Sequence, residues 1–207
     1  ANEIIESLTN VVLPKILKKY DSINYSLEGE QQEQGDNLKS LGKNFILAMI
    51  VVYMLLAIPF KSYFQPLVVM SSIPFGVTGA VMGHIIMGMN LSVLSMMGIV
   101  ALTGVVVNDS LVMVDFINRY RKEGNTIKQS VLEAGPRRFR PIFLTSLTTF
   151  VGLVPLILEK STQAKFMIPM AVSLSFGVLF ATAITLLLVP VSYLTLEKYI
   201  LKTEENK

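Results

Sequence analysis

The chain has 207 residues, no cysteine, one histidine, 52% hydrophobic residues and a formal charge of +3. Disulfides and thiolate metal sites are therefore excluded, a histidine-rich metal centre cannot be built, and so small a positive excess gives no case for nucleic-acid binding. Placement is more informative than bulk: most charged residues fall in residues 1–43, in residues 118–140 and after Leu196. Between them lie apolar runs about as long as the roughly 20 helical residues that a bilayer core requires.

Residues 1–43 read as water-exposed. Ile4, Ile5, Leu8, Val12, Leu13, Ile16 and Leu17 recur at helical spacing, and Lys15, Lys18 and Lys19 stand near that helix's end, where cations suit the dipole. Ile23, Tyr25 and Leu27 then alternate with polar neighbours, which predicts a half-buried strand. Residues 30–43 are polar and free of proline, a helix leading into the membrane. One helix and one strand cannot bury a core of their own, so this segment is expected to end a larger α/β unit. Ala1 is not a methionine and no signal peptide precedes it, so the chain is expected to be the C-terminal piece of a longer one.

Five spans are predicted next, over about residues 44–60, 66–87, 91–117, 141–158 and 166–196. The fold class is mainly α: a polytopic membrane bundle of five transmembrane helices within residues 44–197, carrying a short N-terminal α/β remnant. The first span is short, with Leu38 and Leu41 extending it as a stem. Residues 118–140 hold Arg119, Arg121, Lys122, Lys128, Arg137, Arg138 and Arg140 against Glu123 and Glu133, which by the positive-inside rule makes that loop cytoplasmic. The same count puts the tail, residues 198–207, inside and residues 1–43 outside, in the periplasm or extracellular space. Within the loop, residues 126–134 read as a short surface helix that Gly135–Pro136 should stop.

The third span carries Asn108 and Asp109. A carboxylate in the middle of a membrane helix costs about 2.5–3.5 kcal/mol on insertion scales, so it must face protein or a wet cavity. Met97, Ala101, Gly104, Asn108 and Asp115 share one stripe, with Asp109 about 100° around beside Leu102 and Val105. Removal from water disfavours the charged form, so Asp109 is a candidate for proton exchange or cation binding, against the alternative of a structural carboxylate bonded to a neighbouring hydroxyl. Asp115, nearer the cytoplasmic end, is expected to pair with Arg119 or cap at the interface. The fourth span answers with Thr145, Thr148, Thr149 and Gly152 at helical spacing and Ser146 beside them, a pattern suited to helix contacts or to a relay. Arg140, at its start, can reach toward headgroups or inward to a carboxylate. Gly76, Gly79, Ala80 and Gly83 read as close packing, and His84 as an interfacial histidine. Ser175, Thr182 and Thr185 in the fifth span are taken as packing residues. No P-loop, nucleophile–base arrangement or clustered metal ligands occur, so neither an enzyme nor a cofactor or resident metal is expected.

The run from Gly98 to Phe116 through Asn108–Asp109–Ser110 resembles the tenth membrane helix of resistance-nodulation-division permeases. Glu133–Ala134–Gly135–Pro136 running on to Leu147 resembles the entry to their eleventh helix, and residues 25–30 the end of their second porter region. The likeness is closest to the hydrophobe/amphiphile, AcrB-type branch. It implies a trimeric bacterial inner-membrane antiporter that takes in protons and expels drugs or other amphiphiles. Such a pump works with a periplasmic adaptor and an outer-membrane channel. Its relay positions fall here on Thr145 and Arg140, while the relay lysine position is taken by Asn108, followed by Asp109. Alternatives are a relative with a metal, lipid or hopanoid cargo or a protein-export role, and a sensor or scaffold on the same fold.

Overall fold

The computed structural model describes residues 8–17 and 30–204, which divide after Lys39 into two units. In the first, Leu8–Val12 form a π-helical turn that continues into α1, Leu13–Leu17. The strand expected over Ile23, Tyr25 and Leu27 lies outside the described residues. Everything else among them is helical or connecting, with five helical segments long and apolar enough to cross a bilayer.

Stem and first span are one helix, α2, Glu30–Phe60. No proline interrupts it before Pro59, and its apolar part from Gly35 rises about 39 Å at 1.5 Å per residue, ample for a core of about 30 Å. Only 6% of its most apolar window is buried, so α2 presents most of its surface to surroundings other than the bundle. The second span is split into α3, Gln65–Met70, and α4, Ile73–Met87. The break has a covalent cause: Pro74 has no N–H for the Met70 carbonyl and its ring crowds that group. At the break the Ser71 hydroxyl donates to Val68 O at 2.7 Å. At the other end α4 stops on Gly88 in the left-handed region (φ 63°), and Met89 N–H bonds His84 O at 2.9 Å, a closure that a side chain at Gly88 would strain.

The remaining helices are α5, Val93–Lys122, α6, Ile127–Ile157, and α7, Thr162–Glu204. Reciprocal capping boxes start α5 (Ser92 with Ser95) and α6 (Thr126 with Gln129). The stop expected at Gly135–Pro136 does not occur. The surface helix and the fourth span are one rod, because Pro136 forfeits one backbone bond while Val131, Ala134 and Ile142 stay buried and hold the register on either side.

Helix α7 is the hub, packing on α4, α5 and α6. One apolar cluster joins Met113, Val114 and Ile117 to Val189 and Tyr193, and another joins Leu102 and Val106 to Ala80, Val178 and Ala181. Small residues make the close approach possible, as the sequence pattern of α4 suggests. The tightest backbone contact is at Gly98, where an added Cβ would stand 2.6 Å from the Met170 carbonyl oxygen of α7. Gly98→Ala is therefore expected to destabilise the intact protein by about 1–3 kcal/mol, the usual cost of overpacking. Gly135→Ala, which meets nothing within 4 Å, should be neutral or slightly stabilising. Denaturant melts of both variants in detergent check the pair.

Candidate functional site

Along α5, Asp109 falls where the two apolar clusters meet, between Val106 of one and Met113 of the other. It is 8% exposed. The Ser146 hydroxyl of α6 approaches its carboxyl. Ser146 is itself buried, donates to Ile142 O at 3.0 Å and shares a hydrogen bond with the Thr182 hydroxyl of α7. Next to Asp109, Ser110 donates to Ser72 at the break between α3 and α4, 3.1 Å away, and both hydroxyls are fully buried. Three helices thus bring one carboxyl and a short chain of hydroxyls into an apolar interior, where such groups hold one another because no water is available.

The helical phase separates the neighbours of this carboxyl. Asn108 lies on the exposed side of α5, with Gly104, Ala101 and Met97. Thr145 and Thr148 are likewise exposed on α6, and their hydroxyls bond back to their own helix at Ile142 O (2.8 Å) and Leu144 O (2.9 Å). Thr149 is half-buried and bonds Thr145 O at 2.9 Å. The α6 hydroxyl that bonds a side chain of another helix is that of Ser146, one step from the threonine stripe, just as Asp109 is one step from the Asn108 stripe. Arg140 is exposed and meets no carboxylate at ion-pair distance among the described residues. Asp115 pairs with Arg119 at 2.7 Å, the local arrangement expected from their i, i+4 spacing.

His84 is more deeply placed than an interfacial histidine, at 2% exposure. Its Nδ1 lies 3.0 Å from Ala80 O and so carries the proton, leaving Nε2 to accept from Ser95 at 2.8 Å. That ring therefore ties α4 to the start of α5. No group of three or more potential metal ligands is clustered among the described residues.

A second polar cluster was not foreseen. The Tyr193 ring of α7 is buried, and its hydroxyl donates to Asn118 Oδ1 at 2.7 Å. Asn118 in turn donates to Gln65 Oε1 at 2.8 Å, and Arg121 pairs with Glu197 at 3.0 Å and reaches the Tyr193 oxygen at 3.4 Å. These residues come from three separate helices, so no periodicity within one segment could have announced the cluster.

The profile of the AcrB/AcrD/AcrF family matches residues 2–197. A swarming motility protein, SwrC, of Bacillus subtilis (strain 168) is 32% identical over 204 residues, covering 95% of this chain and 19% of that protein. Two crystal forms of a heavy-metal efflux pump share the fold at 24% identity, each with a TM-score of 0.73. They cover 92% and 90% of this chain and 19% of theirs. The chain thus spans about a fifth of the length of these relatives.

Tyr193→Phe would remove one partner of the half-buried Asn118 Oδ1 and leave the ring. A loss of about 1–2 kcal/mol is expected, read as a melting temperature lowered by a few degrees, with Tyr53→Phe at the exposed bond to Tyr63 O giving little change.

Proposed function

This chain belongs to the AcrB/AcrD/AcrF family, and from that premise we propose that it is the C-terminal membrane part of a proton-driven efflux permease. In this reading the permease sits in a bacterial inner membrane and exports drugs or other amphiphiles by antiport. Residues 1–43 are periplasmic, residues 118–140 and 198–207 cytoplasmic. The working assembly is a homotrimer joined by a periplasmic adaptor and an outer-membrane channel, and the chain itself is no enzyme.

The observation that carries the reading is the Asp109 carboxyl, held inside the bundle beside Ser146. Ionised, it needs the hydroxyl chain and hydration; protonated, it is compatible with dry packing. Each proton moved across 100 mV supplies about 2.3 kcal/mol, enough to bias two helix arrangements whose difference is of that order. Export of cargo would draw on that bias through α5 and α6. The exposed stripe of Met97, Ala101, Gly104 and Asn108, facing outward as do Thr145 and Thr148, is the surface on which the remaining helices of a longer chain would pack, since small residues permit close backbone approach. Asn108, Thr145, Thr148 and Arg140 then meet their partners across that face, with Thr149 and Asp115 in supporting places. A metal cargo is the second reading, favoured by the fold shared with a heavy-metal pump.

In cells expressing the intact protein, Asp109→Asn is expected to abolish dye or detergent export, while Asp109→Glu retains a part of it with an altered pH profile. Unchanged export and pH dependence in Asp109→Asn would remove Asp109 from the coupling step. Challenge of the same cells with copper or zinc decides between cargoes: amphiphile tolerance should depend on the protein and metal tolerance should not.

A further inference from the structure

A cleft of about 510 Å³ opens between the end of α2 and the last turns of α5, lined among others by Lys61, Asp115, Asn118, Arg119, Arg121 and Lys122. Four cations thus face one carboxylate. That carboxylate is committed to Arg119, and Arg121 is committed to Glu197. Lys61 and Lys122 are exposed and have no carboxylate at ion-pair distance among the described residues. Among the described residues the surplus is therefore two unpaired ammonium groups beside two guanidiniums that line the same cleft.

The backbone adds a second observation. Lys61 stands at φ 49°, the one non-glycine with positive φ among the described residues. In that left-handed region glycine is favoured and a lysine is strained, a state that persists where the side chain serves a purpose. The turn directs a cation toward the cleft immediately after the last apolar turn of α2. Pro59, Phe60 and Leu111 supply the apolar part of the cleft's lining, and Ile58, Tyr63 and Phe64, close by in sequence, are 73%, 77% and 54% exposed.

We propose that this cleft binds the phosphodiester headgroup of an anionic phospholipid, with the acyl chains lying along the exposed side of α2. Cations at the polar boundary, an apolar wall on the membrane side and a mouth open to both match a lipid better than a free anion, which would need no wall. The orientation proposed above only names the leaflet as the inner one; the cleft's chemistry does not depend on transport or on Asp109.

The test uses the intact protein in nanodiscs of symmetric composition, so the outcome is independent of orientation and of pumping. Association of spin-labelled phosphatidylglycerol is compared with that of phosphatidylcholine in the wild type, in Lys61→Gly, in Lys122→Gln and in the double variant. Lys61→Gly relieves the turn as it removes the charge, so the fold is retained. The preference for phosphatidylglycerol should fall about fivefold for each cation removed, with phosphatidylcholine association unchanged and no displacement by inorganic phosphate. An unaltered preference in the double variant would overturn the proposal, the cleft then being filled by another segment or unused. Displacement of the labelled lipid by inorganic phosphate would overturn it equally, in favour of a free-anion site.

Discussion

An ionisable group inside an apolar helix bundle is tolerated only where other polar groups are delivered to it, and the arrangement of α5, α6 and α7 meets that condition around Asp109. Its carboxyl has the Ser146 hydroxyl at hand, Ser146 leans on Thr182, and Ser110 beside it leans on Ser72. Each of those hydroxyls arrives on a different element, so their meeting depends on the helix spacing. That spacing depends on α7 lying close against α4 and α5, as the contact at Gly98 requires. Tight packing and the polar interior are therefore one problem with one solution.

The bundle has two kinds of surface. Inside, α5 presents Leu102, Val106, Asp109 and Met113, all buried; on its other side it presents Met97, Ala101, Gly104 and Asn108, all exposed. Two successive residues, Asn108 and Asp109, are consequently directed to different environments by the 100° step of the helix. A change of charge at Asp109 is felt first by α6 and α7 within this bundle, and any partner across the open face feels it through movement of α5. Such a division suits a device that converts protonation into displacement, which is the mechanism proposed for the chain.

Much of this was legible in the residues themselves. Apolar runs of bilayer length anticipated five long apolar helices, small residues in α4 marked its close contact with α7, and the i, i+4 spacing of Asp115 and Arg119 announced their ion pair. Local punctuation was less reliable. Pro74 does break the second span, whereas Pro136 leaves α6 continuous, so a proline alone does not decide whether the helix resumes. The threonine stripe of α6 drew attention to Thr145 and Thr148, yet the hydroxyl that crosses to another helix belongs to Ser146, set by the rotation of α6 about its axis. The tie of Tyr193, Asn118 and Gln65 spans 128 residues of sequence and exists only once three helix ends converge.

The claim on which everything about energy use depends is that the Asp109 carboxyl gains and loses a proton while remaining inside the bundle. Infrared difference spectra of the intact protein, recorded as the pH is stepped downward, report this directly. The account predicts a protonated-carboxyl carbonyl band that appears with acidification and is absent in Asp109→Asn. A spectrum in which that band persists unchanged in Asp109→Asn, or never forms in the wild type, would contradict it.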